Sequence, residues 1–424
     1  MFFERPDAGS RVLLVHLEQR NSELASLNEL LELAQSAGLT PVGSVTSNQR
    51  YPHPATCVGK GKVEEIKALS DETKARLIIF DTDLTPSQER NLESSLQCRV
   101  MGRTGLILEI FAQRARTHEG KLQVELAQLE HASTRLVRGW THLDRQRGGS
   151  GRDQGTGAGL GGSGETQLEA DQRMLNERTR RLNQRLNKVK KQRGQNRRAR
   201  RRSAVKTISL AGYTNAGKST LFNRLCDADV QAADQLFATL DPTLRRLEVP
   251  VVGKVVISDT VGFIRQLPHS LVEAFRATLE EVTNSDLILH VIDASAPHRD
   301  ERIEQVNNVL EEIGASHVPQ LMVCNKVDVC HGNARVERDM FGRPCRIWVS
   351  AQTGAGTGLL IQAISELLAE DMVETQITLQ PHEGSIRAKL FALGAVVRED
   401  TDMKGQIHMD VRIEQRELLR LQSK

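Results

Sequence analysis

Aromatic residues are scarce in this chain. Phe, Tyr and Trp together make up 3% of 424 residues, with two Trp and two Tyr. A surface that stacks single-stranded bases depends on such rings, so that mode of nucleic-acid binding is not expected. Cysteine is also sparse. The six cysteines, at 57, 98, 226, 324, 330 and 345, show no C-x-x-C spacing. They read as reduced thiols in a cytoplasmic protein, and their even count is no evidence for disulfides. No apolar run approaches the roughly 18 residues of a membrane span, and Met1-Phe-Phe-Glu-Arg-Pro lacks a secretory pattern. What remains is 39% hydrophobic and 26% charged, an ordinary soluble composition with length for two or three domains.

The chemistry is concentrated in one run. Gly212-Tyr213-Thr214-Asn215-Ala216-Gly217-Lys218-Ser219 follows the apolar stretch Thr207–Ala211 and leads into a helix-like Ser219–Leu225. The spacing is G-x-x-x-x-G-K-[ST] in its strand–loop–helix context. Backbone N–H groups of such a loop wrap nucleotide phosphates, the lysine reaches the β/γ oxygens, and the Ser hydroxyl holds Mg²⁺. Downstream, Asp259-Thr260-Val261-Gly262 follows a strand-like Lys254–Ser258. A magnesium-side carboxylate and a γ-phosphate-sensing glycine belong there. Asn325-Lys326-Val327-Asp328 ends a third apolar run and Ser350-Ala351-Gln352 a fourth. Elements in this order at strand C-termini describe the carboxyl edge of a parallel sheet, where open α/β folds bind ligands.

The base is read as guanine. Asp328 can accept from guanine N1–H and its exocyclic amine, and the Ala351 N–H can donate to O6, where adenine carries an amine instead. Unpaired buried polar groups reject the wrong base strongly, so GTP and GDP are the expected ligands. Phe263 follows Gly262, at a place where many small GTPases keep a water-orienting glutamine. Phenylalanine cannot hydrogen-bond a water, so hydrolysis by the chain alone should be slow, with water placed by backbone, an ion or a partner. Asn215 resembles the phosphate-loop asparagine of potassium-dependent GTPases, which helps coordinate K⁺; its other reading is a loop residue capping backbone N–H groups. Phe237-Ala238-Thr239-Leu240-Asp241-Pro242-Thr243 should be switch I, and its spacing leaves Thr239 and Thr243 equal as Mg²⁺ ligands.

The net charge of +3 conceals an asymmetry. Arg173, Arg178, Arg180, Arg181, Arg185, Lys188, Lys190, Lys191, Arg193, Arg197, Arg198, Arg200, Arg201 and Arg202 stand in one stretch against a single acid, Glu177. A solvated helix face interleaves both signs, whereas a concentrated basic stripe implies a polyanion. With no aromatic residue in the stripe, phosphate contacts to structured RNA are expected.

Residues 1–113 alternate strands (Arg11–Leu17, Pro41–Thr46, Leu77–Asp81, Cys98–Met101) with helices (Ser22–Ala37 and one opening at Thr85-Pro86). This is the pattern of a small parallel α/β domain. Val58-Gly-Lys-Gly-Lys62 within it is a phosphate-contacting loop or a turn before a helix. In 114–204, Leu122, Leu129, Leu136 and Leu143, then Leu168, Leu175, Leu182 and Val189, recur every seven residues around a stretch, Gly148–Gly164, with nine glycines in seventeen positions. An antiparallel helical hairpin with a flexible tip is expected. Gly157–Gly162 matches G-x-G-x-x-G, but no strand precedes it, so it is not a dinucleotide site. Residues 205–371 form the GTPase domain. In 372–424, Ile386–Val397 and the alternating Ile407, Met409, Val411 and Ile413 suggest a β-hairpin, with a short helix to Lys424.

Arg114–Leu129, Gly164-Glu-Thr-Gln-Leu-Glu169, Gly212–Ser219, Phe237–Thr243 and Asp259–Phe263 together resemble the bacterial HflX GTPases over nearly the whole chain. The resemblance implies an α/β fold: a P-loop GTPase domain with a mainly parallel sheet, an N-terminal α/β domain, an antiparallel helical hairpin and a small C-terminal α+β domain. It puts nucleotide contacts on Gly212–Ser219, Phe237–Asp241, Asp259–Gly262, Asn325–Asp328 and Ser350–Gln352, and Mg²⁺ on Ser219 and Thr239. The residues closest to the chemistry would be Lys218, Thr239, Asp259, Gly262 and, as a K⁺ ligand, Asn215. It further implies binding to the large ribosomal subunit and its rRNA, with ribosome-stimulated hydrolysis and dissociation or rescue of stalled ribosomes. A free monomer is expected, with no DNA partner. The chain departs from the family at Gly148–Gly164, which is longer and richer in glycine than the usual tip. Two other readings compete: a non-ribosomal RNA-remodelling NTPase, and a regulatory GTPase switch with protein partners.

Overall fold

Val12–Val15 and Leu77–Phe80 are uninterrupted apolar runs, and every residue in them is at most 2% exposed. Runs with no polar alternation suit strands covered on both faces. In the computed structural model they are neighbours in a four-stranded parallel sheet of order β2-β1-β3-β4. The strands are β1 (Arg11–Glu18), β2 (Thr40–Asn48), β3 (Leu77–Phe80) and β4 (Arg99–Met101). Helices α1 (Ala25–Ser36), α2 (Lys60–Thr73), α3 (Pro86–Leu96) and α4 (Arg103–Arg114) connect and follow them. The structure describes residues 9–18, 25–48, 51–139, 167–202, 205–226, 236–264, 276–369, 372–380, 383–392, 395–402 and 406–414.

Helix α3 starts where its sequence says it should. Thr85 Oγ1 accepts from Gln88 N (3.3 Å), Gln88 Oε1 accepts from Thr85 N (3.0 Å), and Pro86 takes the first turn. This reciprocal cap satisfies two donors that a helix end leaves open. Val58–Lys62 is the turn into α2: Val58 is fully buried, Gly59 is the N-cap, and Lys62 pairs with Glu65 at 2.8 Å.

Two long helices follow, α5 (His118–Gly139) and α6 (Gln167–Arg202). Leu122, Leu126 and Leu129 of the first share a core with Leu175, Leu182 and Leu186 of the second, and Arg178 Nε donates to Glu125 at 2.8 Å. Leu186 enters this core one helical turn after Leu182, where the heptad count had pointed to Val189. Trp140, Leu143 and Gly148–Gly164 lie outside the described residues.

By its contacts the chain forms two compact units. The first is Met1–Lys190 with Ala233–Asp241 and Gln266–Arg276; the second holds the remainder. The second contains a seven-stranded sheet of order β10-β11-β9-β8-β5-β7-β6. Its strands are β5 (Thr207–Gly212), β6 (Thr243–Val249), β7 (Gly253–Asp259), β8 (Leu287–Asp293), β9 (Gln320–Asn325), β10 (Arg335–Arg338) and β11 (Pro344–Trp348). The five central strands run parallel and the two outer ones antiparallel. Helices α7 (Lys218–Cys226), α8 (Arg276–Thr283), α9 (Arg299–Glu312) and α10 (Thr357–Ala369) accompany it. Leu210, Leu289, Val323, Ile347, Phe222 and Leu360 lie in one core.

The C-terminal part corrects one expectation. Residues 384–392 form a helix, α11 (Gly384–Ala392), rather than the start of a strand. Ile386 and Leu390 stand four apart, the helical spacing, and Leu390 is fully buried among Met409, Val411 and Ile413. The sheet is β12 (Met372–Leu379), β14 (Ile407–Glu414) and β13 (Val396–Thr401), antiparallel in that order. Strand β12 carries no signal as clear as the alternation in β14. The helix expected before Lys424 lies outside the described residues.

Candidate nucleotide site

Parallel pairing in the second unit brings the ends of β5, β7, β9 and β11 to one edge of the sheet. The loops that leave those ends carry the residues singled out by the sequence. Gly212 has φ +150°, and a Cβ there would meet Val291 O at 2.2 Å. Gly217 has φ +87°, and its Cβ would meet Asn325 Nδ2 at 2.2 Å. Both positions therefore demand glycine on backbone and packing grounds. Asn215, exposed at φ 60°, takes a left-handed conformation that asparagine tolerates.

Lys218 is folded back into this loop. Its Nζ donates to Gly212 O (3.1 Å) and Tyr213 O (2.8 Å), which aims the ammonium along the loop. Burial pushes its pKa down to about 8, partly offset by the Asp259 carboxylate. Ser219 Oγ donates to Asp259 Oδ2 at 2.7 Å, and Asp259 is fully buried. Beneath the loop lies His290, 2% exposed and pushed down to about 4 by burial and then by the Lys218 charge. Thr260 Oγ1 donates to Leu210 O at 2.5 Å, which ties the end of β7 to β5. The backbone then continues alongside the loop. Phe263 N donates to Gly212 O (3.1 Å) and Thr214 N to Phe263 O (2.7 Å).

The loops after β9 and β11 meet the loop after β5 at Asn325. Its Nδ2 donates to Ala216 O (2.9 Å), and its Oδ1 accepts from Ala351 N (2.9 Å). The Ala351 N–H, expected to face a guanine oxygen, is thus engaged by Asn325 here. Lys326 Nζ pairs with Asp293 Oδ2 at 2.8 Å, Val327 is buried and Asp328 half-buried. Ser350 Oγ accepts from Thr353 N (3.1 Å), which shapes the turn around Gln352. Arg224 braces the same turn through Ala351 O (3.2 Å) and Gln352 O (2.5 Å). Arg302 sits 5.0 Å from the Tyr213 ring centroid. Neither arginine carries a motif that would have announced it.

Phe237–Asp241 are placed in the first unit. The Phe237 ring meets Phe111 edge-on at 4.7 Å, and Leu236 N donates to Ser36 Oγ at 3.0 Å. Asp241 Oδ2 accepts from Arg116 N (3.0 Å) and Thr117 N (2.9 Å), while Oδ1 accepts from the Thr117 hydroxyl. Ala238 and Thr239 are half-buried and Leu240 is buried. The carboxylate of Asp241 therefore has a structural task that its place in the motif did not announce.

On the basic stripe, Arg173, Arg178, Arg180, Arg181, Arg185, Lys188, Lys190 and Lys191 are exposed and Arg193 is half-buried. Arg178 pairs with Glu125 and Arg181 with Glu177. The side chains of Arg197, Arg198, Arg200, Arg201 and Arg202 lie outside the described residues.

The hydroxyl of Ser219 and the carboxylate of Asp259 are hard oxygen donors, a set that fits Mg²⁺. Among the described residues no group of three or more His, Cys, Asp or Glu converges on one point. No described helix is long and apolar enough to cross a membrane.

Comparison with known proteins agrees with this architecture. Residues 24–112 match the family described as GTP-binding GTPase N-terminal, 114–200 the GTP-binding GTPase Middle Region, and 207–326 the 50S ribosome-binding GTPase. The GTPase HflX of Escherichia coli is 51% identical over 413 residues, covering 97% of this chain and 95% of that protein. The GTPase HflX of Magnetococcus marinus is 46% identical over 378 residues, 89% of this chain and 86% of that protein. Among solved structures, a GTP-binding protein from Sulfolobus solfataricus in complex with GDP is 23% identical, covering 84% of this chain and 98% of that one, with a TM-score of 0.44. On sequence similarity that runs almost end to end, the chain is a GTP-hydrolysing member of the HflX family.

Proposed function

We propose that this GTPase binds the large ribosomal subunit and, in its GTP form, dissociates or rescues stalled ribosomes in the cytoplasm, with the ribosome stimulating hydrolysis. The observation that carries the ribosomal part is helix α6, on which eight lysines and arginines from Arg173 to Lys191 are exposed. Such a stripe matches rRNA phosphates. The family model 50S ribosome-binding GTPase across 207–326 supports the same partner. The working division is an N-terminal domain (1–113), hairpin (114–204), GTPase domain (205–371) and C-terminal domain (372–424).

In this reading Gly212–Ser219 hold the phosphates through backbone N–H groups and Lys218, with Asp259–Gly262 at the γ-phosphate. Asn325–Asp328 and Ser350–Gln352 hold guanine, while Phe237–Asp241 supply switch I. Ser219, Asp259 and Thr239 would hold Mg²⁺, which neutralises charge on the transferred phosphoryl group; Asn215 is the K⁺ candidate. Lys218→Ala should abolish GTP binding. Charge reversal at Arg180, Arg185, Lys188 and Lys191 should weaken binding to purified large subunits and flatten its salt dependence, at unchanged GTP affinity. Ribosome binding that survives the reversal refutes the basic-helix assignment.

A further inference from the structure

We propose that the Thr214 hydroxyl orients the water that attacks the γ-phosphorus of GTP. The inference rests on the reading that Gly212–Ser219 hold the nucleotide phosphates. It answers a gap that the sequence exposes: Phe263 occupies the glutamine place and has no side-chain hydrogen bond to offer.

Thr214 is 4% exposed, and its Oγ1 is buried with no hydrogen-bond partner among the described residues. A buried hydroxyl left unmatched costs roughly 1–3 kcal/mol, so it implies a partner of another kind. The surroundings indicate which. A Cβ built on Gly262 would lie 2.8 Å from Thr214 Cγ2 and 2.9 Å from Lys218 Nζ. The Thr214 side chain, the Lys218 ammonium and the bare face of the γ-sensing glycine thus converge on one spot. Thr214 N is at the same time fixed to Phe263 O at 2.7 Å. Phe263 therefore contributes its carbonyl to holding Thr214, and Thr214 brings the hydroxyl that Phe263 lacks. Valine would fill the same volume, so packing alone does not account for the oxygen.

In the step, the water oxygen bonds to the γ-phosphorus as the bond from that phosphorus to the β–γ bridging oxygen breaks. GDP leaves with the electron pair, and the proton lost by the water ends on the phosphate product. Thr214 Oγ accepts one hydrogen bond from the water, which turns a lone pair toward phosphorus, and takes no proton itself. Orientation of this kind acts on the transition state more than on the ground state.

The test uses the full chain with Thr214→Val, Thr214→Ser and Lys218→Ala in potassium buffer with Mg²⁺. Single-turnover GTP hydrolysis is measured at saturation, with the Kd for GDP and for a non-hydrolysable GTP analogue. Thr214→Val should slow hydrolysis about tenfold to a hundredfold with both Kd values within about twofold, and Thr214→Ser should restore most of the rate. Hydrolysis by Thr214→Val at the original rate with unchanged Kd overturns the inference and leaves the nucleotide site standing. A fall in rate matched by equally weakened GDP and analogue binding also overturns it, because the hydroxyl then supports the loop. Unchanged nucleotide affinity in Lys218→Ala overturns the underlying site reading as well.

Discussion

Asp241→Ala should loosen the start of helix α5, although the substituted residue lies 125 positions further along the chain. The carboxylate accepts from Arg116 N and Thr117 N at 3.0 and 2.9 Å and from the Thr117 hydroxyl. Thr117 Oγ1 in turn accepts from Gly120 N at 2.9 Å, so Asp241 and Thr117 together cap the helix. Loss of a side-chain cap costs about 1 kcal/mol, and loss of a negative charge beside a helix N-terminus costs about 0.3–1 kcal/mol more. Together these come to a local cost of about 1.3–2 kcal/mol. At roughly 1.4 kcal/mol per tenfold, amide hydrogen exchange at Arg116, Thr117 and the first turn of α5 should accelerate about ten- to thirtyfold. Asp241→Asn keeps an acceptor without the charge and should fall between. Exchange unchanged within about threefold in Asp241→Ala, with the protein still folded, refutes the capping role.

Gly262→Ala should cut GTP turnover far more than GDP affinity. The added methyl would meet Thr214 Cα and Lys218 Nζ, each at 2.9 Å, and displace the lysine from its carbonyls; single-turnover kinetics and GDP titration separate the two effects. The buried His290 predicts an acid weakness. With its folded pKa near 4 against 6.5 unfolded, the unfolded chain binds more protons between those values. The stability contributed by the neutral imidazole is full above pH 6.5 and is lost as pH falls toward 4, by up to about 3 kcal/mol. Denaturant unfolding at pH 7 and pH 4.5 should show a smaller difference for His290→Gln than for the original chain.

The conformation of the loop Gly212–Ser219, the strand ends that carry Asp259 and Asn325, and the cap at Thr85 were legible because each is a local pattern with a local physical cause. Glycine at 212 and 217 is dictated by backbone angle and by a neighbour that leaves no space. What the sequence concealed depends on partners far along the chain. Nothing near Phe237 announces Phe111, and nothing near Asp241 announces the amides of Arg116 and Thr117. The engagement of Ala351 N–H by Asn325 is likewise a tertiary fact. In the C-terminal part, Ile386 and Leu390 fit both an apolar strand and a helix face, and packing on β14 decided for the helix.

The composition of the first unit has a consequence for how the protein is made. Its residues up to Lys190 leave the synthesising ribosome well before Ala233–Asp241, which belong to the same unit. At 5–20 residues per second, roughly 2–10 s separate the two events. Through that interval the Phe111 ring lacks Phe237, and the amides of Arg116 and Thr117, just before α5, lack Asp241. Vectorial synthesis thus delivers Ala233–Asp241 to the first unit only after the loop Gly212–Ser219 has emerged, and Gln266–Arg276 later still. A fragment that stops at Lys190 lacks two later segments of its own unit, Ala233–Asp241 and Gln266–Arg276.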